Sequence, residues 1–323
     1  MLVKILLATA SVIVTIGMLF PIVPHITAKN MAYVMRIRKE NVLFPQLAQF
    51  RYYYTYKPDQ IIEENPSWLG HPVEYVINND GLHDSKEYSV EKPPNTFRIV
   101  ALGDSFTFGA FVKTEENYTE LLEKLLNSTQ CSSSMRFEVL NLGVPGYDIG
   151  YAAQHLKDTG LKYNPDLVIW LLNGFNFFQL KDAMQNREDQ ILHAMGERNI
   201  NEQQTNGKFY EAANIAKDEL GEDFGKEAIL KQQETYLYKM NTYYHGPLVF
   251  SLFPGQDPAI VNLLTGYINH RKSTYLYQSL PPLDKLHGLL PDGHPNALGH
   301  TLISTKLFTY LMSSKILPSC GIQ

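Results

Sequence analysis

Four short segments of this 323-residue chain carry side chains that could do chemistry together. Gly103-Asp104-Ser105-Phe106-Thr107-Phe108-Gly109 directly follows an apolar run. A serine at a strand end sits at the mouth of a cleft, and its backbone N–H can help bind an oxyanion. Asn141-Leu142-Gly143-Val144-Pro145-Gly146 closes a second apolar run. Gly146 offers an N–H with no side chain to block approach. Asn173-Gly174-Phe175-Asn176 follows a third run. A side-chain amide there, from Asn176 or in its place Asn173, can donate to a developing negative oxygen. Asp292-Gly293-His294-Pro295-Asn296 stands before the last helical stretch. An Asp two residues before a His can accept its Nδ1–H, which fixes the tautomer and leaves Nε2 to take a proton from a serine. Joined, Ser105, His294 and Asp292 would perform nucleophilic acyl transfer, with Ser105, Gly146 and Asn176 as oxyanion donors. Taken singly, each segment is ordinary turn chemistry.

These residues need a scaffold that brings strand ends together. Arg98–Gly103, Phe137–Leu142, Leu167–Leu172 and Leu248–Phe253 have the length and apolar content of buried parallel strands. Helical patterns lie between them. Residues 115–127 place Leu121, Leu122, Leu125 and Leu126 on one face. Residues 149–161 do the same with Ala152, Ala153, Leu156 and Leu161, and residues 297–312 form a closing helix. Strand alternating with helix predicts an α/β fold with a parallel sheet covered on both faces. Residues 180–245 are polar and helix-favouring, and read as a helical insertion over one sheet edge, either a lid or simply a longer crossover. Residues 29–95 form a Tyr-rich N-terminal extension, with a turn at Asn78–Gly81 and a Pro-rich linker before residue 96. The Tyr residues suit either a sugar-binding rim or the edge of the core.

Net charge is −5, which excludes a broad basic surface, so no nucleic-acid partner is expected. Cys131 and Cys320 stand in no metal-ligand spacing. They could form a disulfide or remain free, according to compartment. No metal or organic cofactor is required by the chemistry above. Residues 1–28 read as a membrane anchor or signal segment: Ile5 to Val23 is nearly all apolar and long enough to span a bilayer as a helix. The cations after this span (Lys29, Arg36, Arg38, Lys39) favour a cytoplasmic domain by charge alone.

The order and spacing of the four segments resemble the SGNH/GDSL hydrolase superfamily, over roughly residues 95–315. The resemblance implies a flavodoxin-like three-layer α/β/α sandwich for residues 96–323, following an N-terminal transmembrane helix. It implies Ser105 as nucleophile, Asp292 and His294 as its partners, and Gly146 and Asn176 as oxyanion donors. Two departures stand out. The first block reads GDSF, as in exported polysaccharide-modifying members, and Asn176 is followed by Phe177 where the family has Asp. Similar membrane-anchored relatives act on cell-surface glycans, which implies an extracytoplasmic domain and an acylated glycan or small molecule as substrate. Water as acceptor would make an esterase, and a sugar hydroxyl an O-acyltransferase. A degenerate glycan-binding module and a lipid-directed hydrolase are the other readings.

Overall fold

The computed structural model describes residues 39–129, 135–196 and 206–317. The expected anchor over residues 5–23 and the two cysteines lie outside them. Among the described residues, no helix is long and apolar enough to cross a membrane.

The chain opens with two antiparallel pairs. β1 (Val42–Leu43) pairs with β2 (Thr55–Tyr56), and β3 (Gln60–Glu64) pairs with β4 (Val73–Ile77). Then comes β5 (Thr96–Gly103), the one-turn helix α1 (Ser105–Phe108), α2 (Tyr118–Asn127) and β6 (Arg136–Gly143). After α3 (Ile149–Asp158) follow β7 (Leu167–Leu172), α4 (Lys181–Ala194) and α5 (Asn206–Met240). β8 (Leu248–Leu252), α6 (Pro258–Asn269), β9 (Thr274–Tyr277) and α7 (Ala297–Ser313) complete the order.

β5 to β9 form one sheet in the order β6-β5-β7-β8-β9, parallel at every pairing. Numbered within the sheet this is 2-1-3-4-5, the doubly wound order of flavodoxin-like folds. Alternation along each strand feeds two cores. Ile99, Ala101, Val139, Ile169 and Val249 pack with Leu122 and Leu126 of α2 and Ile303, Leu307 and Leu311 of α7. Val100, Leu102, Leu140, Trp170 and Phe250 face the other way, onto α3, α6 and the end of α5. Because both faces are covered, the strands carry continuous apolar runs rather than an alternating pattern.

Several expectations shift. Residues 114–116 form a 3-10 turn, and Asn117 caps α2 by accepting from Thr119 N at 3.2 Å. The buried face of α2 is Tyr118, Leu122 and Leu126, while Leu121 and Leu125 are half-buried. Among the described residues, the segment over 180–245 is mostly helical. α5 runs on to Leu237 and Met240, which are buried in the core that α3 shares with the sheet, so this segment is itself the crossover from β7 to β8. Gly225 interrupts α5 with φ 70°. The N-terminal Tyr residues fill core rather than rim a cleft. Tyr53, Tyr54 and Tyr56 are buried, and the first two pack edge-on or tilted against Tyr147 and Tyr151.

Candidate active site

Ser105 is the first residue of α1, reached directly from the carboxyl end of β5. Asp104 caps this turn, accepting from Phe106 N at 2.9 Å. β6 ends against the same turn. A β-carbon on Gly143 would stand 2.2 Å from Phe108 N, so only glycine admits this approach. Gly146 follows, with φ 79°, a conformation that favours glycine. Among the described residues, the N–H groups of Ser105 and Gly146 donate to no protein acceptor.

His294 arrives from the loop before α7. That loop is pinned by the bridge of Leu289 to Pro295 and by Leu290 N donating to His294 O at 2.7 Å. Asn296 caps α7 by accepting from Gly299 N at 2.9 Å. His294 Nε2 lies 2.8 Å from Ser105 Oγ, and His294 Nδ1 lies 2.7 Å from Asp292 Oδ2. Asp292 Oδ1 also accepts the backbone N–H of His294 at 3.1 Å, which sets the carboxylate's orientation. The His294 side chain is 12% exposed and that of Asp292 4%, so the relay runs from the protein interior to the surface. Phe106 and Phe111 flank the imidazole, each with ring centroids 5.4 Å from it.

Asn173 and Asn176 stand on a 3-10 turn after β7. Both amides converge on one carboxylate oxygen. Asn173 Nδ2 donates to Asp104 Oδ2 at 2.7 Å and Asn176 Nδ2 donates to it at 3.1 Å. Asn176 Nδ2 also donates to Tyr147 O at 3.0 Å. Asn176 therefore bridges the neighbour of Ser105 to the neighbour of Gly146. Burial pushes the Asp104 carboxyl above the usual range, against the pull of these donors and of His294.

The structure thus brings Ser105, His294, Asp292, Gly146 and Asn176 to one end of the sheet. Asp104 is a site residue that sequence reasoning gave no role. Its signal was present, since Asp before a helical turn is a capping residue. Its second task, holding two asparagines from a loop about seventy positions away, left no local trace. Phe175, 70% exposed on the same turn, was also passed over. A cavity of about 630 Å³ lies apart, between residues 178–184 and α5, and is lined by none of the relay residues. Among the described residues no group of three or more His, Cys, Asp or Glu could hold a metal ion.

The chain matches no protein-family model and no curated protein sequence. Solved structures do match. One is a two-domain esterase active on acetylated mannans, with TM-score 0.40 and 16% identity, covering 69% of this chain and 51% of that one. This chain thus spans about half the length of that esterase. Another is an acetylxylan esterase from Geobacillus stearothermophilus, with TM-score 0.40 and 14% identity, covering 72% of this chain and all of that one. A third is a G-D-S-L family lipolytic protein from Desulfitobacterium hafniense, with TM-score 0.36 and 17% identity, covering 66% of this chain and 98% of that one.

Proposed function

We propose that this protein is a serine-dependent ester hydrolase that works through an acyl-enzyme on Ser105. The observation that carries the reading is the unbroken relay from Asp292 Oδ2 to His294 Nδ1 at 2.7 Å and from His294 Nε2 to Ser105 Oγ at 2.8 Å. His294 takes the Ser105 proton as Oγ attacks the ester carbonyl, and then returns it to the departing alcohol oxygen. Water repeats the cycle on the acyl-enzyme, and the acid leaves. The Ser105 and Gly146 N–H groups hold the oxyanion, aided by their freedom from other acceptors. Asn176 joins them by turning one amide hydrogen from Tyr147 O to the oxyanion. Asp292 accepts the Nδ1–H bond without taking the proton, and its charge stabilises the imidazolium while the adduct exists. An acylated glycan is the proposed substrate class, and the region that carries the site is extracytoplasmic, tethered through residues 5–23.

The test is the full-length chain against its Ser105→Ala variant. The wild type is expected to hydrolyse p-nitrophenyl acetate and to be labelled by a fluorophosphonate probe at Ser105. The variant is expected to lose both. Full hydrolysis by the variant would overturn the assignment.

A further inference from the structure

The turn that carries Gly146 also meets a cation that the proposed acyl transfer does not use. Lys181 is the first residue of α4, and its backbone N–H donates to Asp148 Oδ2 at 2.8 Å. That bond fixes the helix start beside the Gly146 turn. Lys181 Nζ lies 3.4 Å, and Cε 3.5 Å, from the place a β-carbon on Gly146 would occupy. Asn176 ties the residue before Ser105 to the residue after Gly146, so the turn that Lys181 meets belongs to the same loop cluster as Ser105.

Among the described residues, none neutralises this charge at contact. Among the described residues, Lys181 Nζ enters no ion pair and no hydrogen bond. The charged groups that act on it are Asp148 and Glu188, both beyond ion-pair distance. The Asp148 carboxylate is already engaged by the N–H groups of Lys181 and Tyr151 and by the Gln233 amide. Lys181 is half-buried, and burial pulls its ammonium below the usual lysine range. A cation held against desolvation is stabilised by an anion brought to it.

The geometry of the acyl transfer says which part of the substrate that is. In the tetrahedral adduct the departing oxygen must face His294 Nε2 to receive its proton. The oxyanion faces the Ser105 and Gly146 N–H groups. The alcohol is thereby placed at His294, which leaves the acyl chain as the one substituent without a partner among these groups. We propose that Lys181 binds a carboxylate at the far end of the acyl group, so that the substrates are half-esters of short dicarboxylic acids such as succinate. This inference rests on the ester-cleaving reading above. In the first step the Ser105 Oγ–acyl bond forms and the acyl–alkoxide bond breaks, the serine proton leaving with the alcohol through His294. In the second step water takes the acyl group from Ser105, and the products are the dicarboxylate and one proton.

Two measurements on the full-length chain test it. Calorimetric titration with succinate and with butyrate needs no turnover. The wild type is expected to bind succinate roughly tenfold or more tightly than butyrate, the scale of one charge-assisted hydrogen bond. Lys181→Met is expected to lose that difference and Lys181→Arg to keep it. Second, pH-stat hydrolysis gives the ratio of kcat/KM for monomethyl succinate to that for methyl butyrate. The ratio is expected to exceed one in the wild type and to fall towards one in Lys181→Met. A general folding defect would lower both rates and leave the ratio unchanged, which would overturn the proposal. So would equal binding of the two acids by the wild type. Lys181-dependent succinate binding with no turnover of either ester would sink the hydrolase reading and leave the anion site standing.

Discussion

At the scale of the residue, the site turns on how Asp292 is held. Its Oδ1 accepts His294 N at 3.1 Å and its Oδ2 lies 2.7 Å from His294 Nδ1, so backbone and side chain of the same histidine grip one carboxylate. In the mechanism proposed above, the carboxylate fixes the imidazole with its proton on Nδ1 and leaves Nε2 to act as base. Asp292→Asn keeps the shape but presents an N–H or a neutral oxygen to Nδ1. The imidazole then takes the other tautomer, and Nε2 carries the proton that it should accept. The expected outcome is a fall in kcat of roughly two to four orders of magnitude, with KM changed far less. Steady-state kinetics on an ester that the wild type turns over would check it. A fall confined to KM would mean that Asp292 shapes binding rather than the base. Spacing made this pair legible in the sequence, because Asp and His two positions apart can meet without help from the fold. Lys181 and Asp104 were not legible in the same way. Each acts on a partner tens of positions distant, and nothing in the adjoining residues marks the meeting.

At the scale of the element, β5 carries the serine at one end and a buried ion pair towards the other. Arg98 is fully buried, and its Nε donates to Glu138 Oε2 at 2.8 Å across the register of β5 and β6. Arg98 Nη1 donates to Tyr163 O at 2.8 Å. A guanidinium in this position is tolerable only while its counter-charge remains, since unpaired burial costs far more than the pair returns. Glu138→Gln is therefore expected to destabilise the fold by about 3–5 kcal/mol. Replacing both residues, as Arg98→Met with Glu138→Leu, is expected to recover most of that loss. Urea unfolding of the three proteins decides between this and a packing role, in which the double replacement would be no better than the single. The strands themselves were the easiest part of the fold to read. β7 is six consecutive buried residues, and only an element covered on both faces can be apolar throughout. β9 was missed because it is four residues at a sheet edge with only its first fully buried. β3 and β4 were missed because short alternating pairs such as Gln60–Glu64 announce themselves only once a partner is known. The course of α4 and α5 was only partly legible, for a different reason. Composition reveals that a segment is helical, but the face it covers depends on residues such as Leu237 and Met240 finding the α3 side of the sheet.

At the scale of the whole molecule, three histidines outside the relay are buried, and together they set how the fold responds to acid. His83, His155 and His300 are 1%, 2% and 0% exposed. His83 Nδ1 lies 2.5 Å from Phe108 O and its Nε2 lies 2.8 Å from Thr114 Oγ1. His155 Nδ1 lies 3.1 Å from Tyr53 Oη, and His300 Nδ1 accepts Tyr118 N at 3.2 Å. Neither His155 Nε2 nor His300 Nε2 has a partner among the described residues. Burial pulls His83 and His155 down to about 4, and burial with the neighbouring His83 and His294 pulls His300 down to about 3. In the unfolded chain each titrates near 6.5. Between pH 6.5 and 4 the unfolded state therefore binds protons that the native state refuses, and stability falls as pH falls across that window. Each histidine contributes on the order of 3 kcal/mol to the loss over the full window. Glu120, held down to about 2 by Ser85 and Lys86 despite its burial, acts in the same sense but at lower pH, below the ordinary carboxylate range. Asp84, Asp104 and Asp148 are pushed up by burial and oppose the trend. A comparison between the wild type and one variant cancels these carboxylates. His300→Gln keeps an oxygen that can accept Tyr118 N but does not titrate. It is expected to be less stable than the wild type at pH 7.5, because the ring packs against Tyr118 with centroids 6.1 Å apart. The gap should narrow as pH falls from 6.5 to 5, since the wild type alone pays to keep His300 neutral. Urea midpoints at pH 7.5, 6.0 and 5.0 for both proteins would show this. A gap that stays constant would mean that His300 takes up its proton in the native state, and that a counter-charge or water reaches Nε2 in solution.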